Sequence, residues 1–251
     1  MAENETIDNF LDGSVRLIQP KDGYRVSMDT VLLAASVPAK SGDHVLEGGI
    51  GSAGASLCLA RRVEGVSVTG IEIQDEMVAL AEKNIVLNGL EDSVLVQKAS
   101  IKDLSGPQSR YDHVMINPPY LPEGKAIRPP DDNKGQAHMD LNATLKDWIR
   151  FCVHYAKQKG TITIVYRADR MDEVISHLYG RVGDLIIMPF WPRAGRKAKR
   201  VIIQGRKGVS GAVSLLPGLA LHGEEERYTS AAEEILRKGK ALDLKGFARS
   251  L

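Results

Sequence analysis

From Asp43 to Tyr166 the chain alternates short runs of β-branched and aliphatic residues with longer stretches whose apolar positions recur every three or four residues. That alternation predicts a parallel sheet covered by helices on both faces. The spacing predicts strands at Asp43–Glu47, Ser67–Ile73, Ser93–Lys98, Asp112–Ile116 and Thr161–Tyr166. Helices are predicted between them at Ala53–Arg62, Asp75–Asn88 and Leu141–Lys157, with Asp75 as a cap and Asn88-Gly89 as a stop. Upstream, residues 9–40 hold a turn at Lys21-Asp22-Gly23 and a short helix at Asp29–Val37. Downstream, a helix at Asp169–Tyr179 precedes two strand-like runs, Asp184–Pro189 and Arg200–Gln204, joined by a basic turn. These last two predict an antiparallel hairpin on the sheet edge, and Ser230–Lys238 predicts a final short helix. The expected fold class is α/β, organised as an N-terminal extension (1–40), a central domain (41–210) and a C-terminal extension (211–251).

Composition narrows this picture only a little. With 251 residues, 43% hydrophobic and 26% charged, the chain can bury a substantial core. Its formal net charge of +1 means that any polyanionic partner must be met by charge gathered locally. Cys58 and Cys152 fall inside helical patterns, which predicts a reduced, cytoplasmic setting without disulfides. Neither the two cysteines nor His44, His113, His138, His154, His177 and His222 show ligand spacing, so no metal site is expected. The acidic start and the lack of a long apolar run predict a soluble protein with no membrane partner.

Chemistry first shows in Val45-Leu-Glu-Gly-Gly-Ile-Gly-Ser-Ala-Gly54, which joins a strand to a helix through a glycine-rich turn. Gly49 and Gly51 let backbone approach a ligand without a Cβ in the way, although glycines alone also make ordinary tight turns. Glu72, at the end of the next strand, stands where an acid accepts hydrogen bonds from both hydroxyls of a ribose. A nucleoside cofactor follows, and Gly49, Gly51 and Gly54 fit the dinucleotide frame as well. Glu47 favours S-adenosylmethionine over NAD, because a carboxylate before the loop holds an ammonium but repels a pyrophosphate. The competing reading of Glu47 is a strand-end carboxylate that caps backbone amides.

A second constellation, Asn117-Pro118-Pro119-Tyr120, follows the strand at Tyr111–Ile116. The Asn117 amide oxygen and the Pro118 carbonyl accept hydrogen bonds, and together they suit both hydrogens of an exocyclic amine. Two prolines fix the loop in advance, so little ordering remains when a substrate arrives. Tyr120 offers a ring to stack on the planar group. The blander alternative is a strand broken by Pro-Pro with Tyr120 in the core, and Trp148 likewise reads as core.

Asn-Pro-Pro-Tyr in this position resembles the motif of Rossmann-like methyltransferases acting on planar nitrogens. With Gln19-Pro-Lys-Asp-Gly-Tyr-Arg-Val-Ser-Met-Asp-Thr-Val-Leu-Leu33 ahead of it, the chain is similar over residues 10–207 to bacterial tRNA adenine-N6 methyltransferases that modify A37 of a valine tRNA. The resemblance implies that the 1–40 extension covers the cofactor pocket, with Tyr24, Arg25 and Ser27 closing it. Glu47, Gly49, Gly51, Glu72 and Ile73 would line the pocket, and Asn117 to Tyr120 would hold the target base, with Asn117 bordering the cofactor. The family commonly has Asp where Glu47 stands, Gly where Ala53 stands, and an acid where Ser100 stands; here the backbone of Ser100 and Ile101 would meet the cofactor's adenine.

Arg193, Arg196, Lys197, Lys199, Arg200, Arg206 and Lys207 form the densest basic segment, suited to RNA phosphates or simply to a solvated hairpin turn. Lys125, Arg128 and Lys134 lie in the long segment after the motif, which reads as a substrate-recruiting loop. The leading expectation is therefore methyl transfer from S-adenosylmethionine to adenine N6 in tRNA. A glutamine-N5 protein methyltransferase, a DNA adenine or rRNA guanine-N2 methyltransferase, and a non-catalytic RNA-binding or cofactor-sensing module remain open alternatives.

Overall fold

The computed structural model describes residues 5–21, 25–119, 143–223 and 227–249, with the side chains of 248 and 249 left aside. Strands β1 (Glu5–Phe10) and β2 (Val15–Pro20) form an antiparallel hairpin. Then follow α1 (Met28–Ser36), β3 (His44–Gly48), α2 (Gly54–Arg62), β4 (Ser67–Glu72), α3 (Asp75–Leu87), β5 (Val94–Lys98) and β6 (Tyr111–Ile116). After the gap in the description come α4 (Leu145–Tyr155), β7 (Ala156–Arg167), α5 (Met171–Leu178), β8 (Val182–Trp191) and β9 (Arg200–Lys207). Two-residue strands β10 (Ser214–Leu215) and β11 (Leu219–Ala220) and helices α6 (Ser230–Leu236) and α7 (Leu244–Arg249) complete the chain.

The main sheet has the order β10-β8-β9-β7-β6-β3-β4-β5, with β11 also paired to β8. Strands β3 to β7 are parallel, and β9 runs antiparallel between β7 and β8. Successive residues of each strand enter different cores, as a period of two requires. Val45, Val68, Met115 and Val165 join one apolar cluster with residues of α1, α2 and α3. Leu46, Ile71, Val114, Ile116 and Ile164 join the other with α4 and α5. The hairpin predicted on the sheet edge is present, and β10 and β11 lie outside it along β8. Leu221, Ile235, Leu236, Leu242 and Leu244 share the first cluster, so the C-terminal residues pack into the same core.

Element boundaries depart from expectation where neighbouring chemistry overrides local pattern. The helix expected to reach Lys157 ends at Tyr155, because Ala156 already pairs with Tyr111 in the sheet. Gln74 rather than Asp75 occupies the cap of α3; the Asp75 carboxylate turns instead to Lys98, 2.5 Å away. His113, read as an ordinary strand residue, is buried and bridges Thr161 (2.6 Å) and Asp43 (3.0 Å).

The β1–β2 hairpin is not foreshadowed by the sequence pattern, and Asn84 of α3 and Asn88, the residue that caps its C-terminus, hold it in place. Asn84 Oδ1 accepts from the Ile18 amide at 2.7 Å, while its Nδ2 donates to the Ile18 carbonyl and to the Ser52 carbonyl, each at 3.0 Å. Asn88 does the same one turn later, accepting from the Arg16 amide at 2.9 Å and donating to its carbonyl at 2.7 Å. Four residues of helix rise about 6 Å and two residues of strand about 6.8 Å, so side-chain amides at i and i+4 match one edge of a strand. Val15 and Leu17, both fully buried, fix the other face of β2. Asn84→Ala is expected to cost about 3 kcal/mol in urea unfolding, since it strands the buried Ser52 carbonyl and both part-buried backbone groups of Ile18. The more exposed Asn88→Ala is expected to cost about 1 kcal/mol.

Candidate cofactor and methyl-transfer site

The helix after β3, α2, covers one face of the sheet, and the next described helix after β6, α4, covers the other. Because β3 and β6 are neighbours, this divergence opens a crevice at their C-terminal ends, the customary ligand position in an open α/β sheet. Gly48 pairs with Ile116, so Gly49 and Asn117 leave the sheet at the same register position. Gly49 (φ 67°) and Gly51 (φ 55°) both occupy the left-handed region. Gly49 and Ile50 donate their amides to the Ile71 carbonyl, at 2.8 and 3.0 Å, which fastens the loop to β4. Ala53 also adopts left-handed geometry (φ 69°), where the resembling families place glycine.

Glu47 is buried at the end of β3, and its Oε2 accepts from the Ser56 amide (3.1 Å) and hydroxyl (2.5 Å) in the first turn of α2. This is the capping arrangement. Oε1 receives no hydrogen bond from any described residue, which leaves that oxygen for a ligand. Burial raises the Glu47 pKa from 4.5 to about 8, with the nearby Glu72 charge adding to the rise and the Ser56 bonds opposing it. A buried acid that is neutral only for want of a partner fits a cationic ligand group, whose arrival would favour the carboxylate.

Glu72 gathers the backbone around it. Its Oε1 accepts from the amides of Ile73 (2.8 Å) and Gln74 (3.0 Å), and its Oε2 accepts from Gly51 across the loop (3.1 Å). Half-buried Ile73 follows directly. Beyond β5, buried Ile101 and half-buried Ser100 border the same strand ends. The Ser100 carbonyl accepts from the Asp103 amide (3.0 Å), and Asp103 itself caps Ser105 (2.9 Å). A buried carboxylate with one open oxygen, an acid at the second strand end and two glycines without side chains together suit the ammonium, ribose and close backbone approach of an adenosyl amino acid.

Around the crevice, Asn117 is half-buried, Pro118 buried and Pro119 exposed, while Tyr120 lies outside the described residues. Tyr24, Lys125, Arg128 and Lys134 lie outside them as well. Arg25 is engaged with Asp8, Thr6 and the Pro20 carbonyl, and Ser27 caps α1, so both hold the N-terminal segment together. Trp148, the fourth residue of α4, lies over the glycine loop: a Cβ built on Gly49 would stand 2.6 Å from its Cη2. Its helical spacing correctly placed it in the apolar core, but gave no sign of this contact.

The basic segment divides. Arg200 pairs with both Phe190 and Arg167, which sets the β8–β9 turn at the same sheet edge as the crevice. Arg196, Lys197 and Lys199 are exposed there, and Arg193 is half-buried. Arg200, counted with them from the sequence, donates from Nε to the buried Asp29 at 2.6 Å and serves to anchor α1. Arg206 and Lys207 sit at the opposite edge, about 20 Å along β9. There Lys207 Nζ donates to Ser109, His154 and Ala156, and burial pulls its pKa down. A cleft of about 470 Å³ at that edge, lined by Lys40, Asp43, Asp112 and Lys159, is therefore remote from the glycine loop. Among the described residues no group of His, Cys, Asp and Glu is placed to hold a metal ion, and no helix is long and apolar enough to cross a membrane.

The Glu47 burial makes a testable statement about pH. The folded chain holds a proton that the unfolded chain lacks between about pH 4.5 and 8, so this contribution to stability is complete below that window and is lost on rising through it. Glu47→Gln removes the titration while keeping an oxygen for Ser56. Its Tm without ligand should exceed that of the unaltered protein at pH 9 by several degrees, at about 2–4 °C per kcal/mol, and the gain should shrink at pH 5. Equal differences at both pH values would reject the assignment.

Residues 45–126 match the model of a methyltransferase domain family. A tRNA1(Val) (adenine(37)-N6)-methyltransferase of Bacteroides thetaiotaomicron is 26% identical over 223 residues, covering 85% of this chain and 91% of the relative. A protein of the same name from Musicola paradisiaca is 33% identical over 157 residues, covering 58% and 63%. Among solved structures, a predicted O-methyltransferase from Agrobacterium tumefaciens superposes with a TM-score of 0.71 at 23% identity, over 86% of this chain and 98% of that one. A tRNA (m1A58) methyltransferase from Aquifex aeolicus superposes with a TM-score of 0.55 at 16% identity, over 76% and 73%. Residues 45–126 thus match a methyltransferase domain within a Rossmann-like fold, and the chain's similarity to bacterial tRNA1(Val) (adenine(37)-N6)-methyltransferases extends along most of its length.

Proposed function

We propose that this protein transfers a methyl group from S-adenosylmethionine to the exocyclic N6 of an adenine in tRNA. The observation that carries the reading is the register of β3 and β6, which sets the glycine loop and Asn117-Pro118 side by side at the ends of adjacent strands. Glu47 would hold the cofactor's ammonium group and Glu72 its ribose hydroxyls. When bound, the cofactor supplies a sulfonium methyl with a good leaving group. The chain's own task is then to present a nitrogen lone pair. Asn117 and Pro118 accept the two amine hydrogens, which draws the lone pair out of conjugation with the ring and toward the methyl. Tyr120 would stack on the extruded base in place of its lost neighbours.

The exposed cations at the β8–β9 turn support a nucleic acid over a protein amide as the substrate. The turn lies on the same edge as Asn117, and β9 is two strands, roughly 10 Å, from β6. The curated relatives described above carry the same tRNA substrate in their names, which supports RNA and this nucleoside.

Purified protein incubated with S-adenosylmethionine and tRNA from cells lacking the gene should form N6-methyladenosine, read by nucleoside mass spectrometry. Asn117→Ala should lower kcat by about 10²–10³-fold, as loss of a preorganised polar contact does, while cofactor affinity changes little. Methylation of protein or DNA in place of tRNA would overturn the assignment. For the partner, Lys197→Glu should weaken tRNA binding and reduce the slope of log K against log salt by about 1, whereas the same change at Lys40 on the opposite edge should leave the slope nearly intact.

A further inference from the structure

The Trp148 indole is more than packing. Its ring is 8% exposed, yet Nε1 has no hydrogen-bond partner among the described residues, and a buried donor without an acceptor carries an uncompensated desolvation penalty. Aromatic N–H groups ordinarily find a partner when buried. The ring also occupies a particular place. Its six-membered edge lies against Gly49, so that a side chain at that position would collide with it. It belongs to the apolar cluster that contains Leu46, Ile71 and Ile101, which joins the ends of β3 and β4 to the segment after β5. The neighbouring Asp147 feels the charge of Lys102 from that same segment, so the first turn of α4 stands beside it.

That segment is also where the chain lacks an acid. Ser100 stands there, its carbonyl already accepts from Asp103, and the Asp103 carboxylate is turned to Ser105. A purine presents ring nitrogens that accept hydrogen bonds as well as an amine that donates them. An indole N–H is a donor only, and so selects a ring nitrogen. Building on the cofactor reading above, we infer that Trp148 determines specificity for the adenine of the bound adenosyl cofactor, donating Nε1–H to a ring nitrogen while its apolar face walls the base. Phe at this position would keep the wall and lose the donor.

S-adenosylhomocysteine, which cannot react, is the probe, titrated by calorimetry into the protein and into Trp148→Phe. The variant should keep or raise its ligand-free Tm, because an unmatched donor is gone, and should bind about tenfold more weakly. Among the 1-, 3- and 7-deaza analogues of the probe, one should bind the unaltered protein about tenfold more weakly and show no further loss in Trp148→Phe, which a purely structural tryptophan would not produce. In a Trp191→Phe protein, where Trp148 is the remaining tryptophan, the probe should change the fluorescence. Unchanged affinity in Trp148→Phe, equal losses for every analogue in both proteins, or a silent Trp148 signal would each overturn this inference alone. Failure of the unaltered protein to bind the probe at millimolar concentration would overturn the cofactor reading with it.

Discussion

Two carboxylates buried at the ends of adjacent strands set the terms for the rest of the site. Glu47 and Glu72 are 4% and 7% exposed, and an acidic group so far from water is costly unless hydrogen-bond donors surround it. The surrounding backbone is arranged accordingly. Ser56, in the first turn of α2, turns its amide and hydroxyl to Glu47, while Gly51, Ile73 and Gln74 aim their amides at Glu72. Three residues of the intervening turn, Gly49, Gly51 and Ala53, adopt positive φ to bring those amides round. Glycine tolerates that geometry and alanine does so only under strain, which the full burial of the Ala53 methyl in the core helps to offset.

The sheet converts this local arrangement into a working edge. Parallel strands deliver all their C-terminal ends to one side, so Glu47, Glu72, Ile101 and Asn117, far apart in sequence, border one crevice. The antiparallel β8–β9 pair delivers its turn to that same side, and with it Arg196, Lys197 and Lys199. The same geometry carries Arg206 and Lys207 away. Charge density along a sequence is thus a poor guide to charge density in space once a strand of several residues intervenes.

This distinction explains what the amino-acid sequence did and did not disclose. Strands β3, β4, β6 and β7 were legible because burial on both faces demands continuous apolar runs, edge strand β5 because Val94 and Val96 alternate with exposed Leu95, and α2 and α3 because their apolar stripes repeat at helical spacing. The glycine loop, Glu47, Glu72 and Asn117-Pro118 were legible because strand order places them. The β1–β2 hairpin was not, since Glu5–Phe10 is polar and only half-buried, and its stabilising partners, Asn84 and Asn88, look from sequence like the solvated side of a helix. Arg200 could not be told from its basic neighbours, because its partner Asp29 lies 171 residues away. The orphan donor on Trp148 is a property of packing, with no counterpart in residue spacing.

Those hidden contacts bind the N-terminal segment to the glycine loop more tightly than a mere cover would require. Asn84 holds the Ser52 carbonyl with the same amide nitrogen that holds Ile18, so the hairpin and the loop share one buried side chain. Gln19 accepts from the Val26 amide, and Val26 in turn packs against the first residue of α2, where a Cβ on Gly54 would meet its methyl groups at 3.1 Å. Arg25 closes the circuit by tying this stretch to Asp8 of β1. A displacement of the hairpin would therefore disturb Ser52 and Gly54 together, at the two shoulders of the left-handed Ala53. Arg25 and Ser27, which the resemblance assigns to closing the cofactor pocket, act here on the N-terminal segment that Asn84 and Val26 join to the glycine loop and the start of α2.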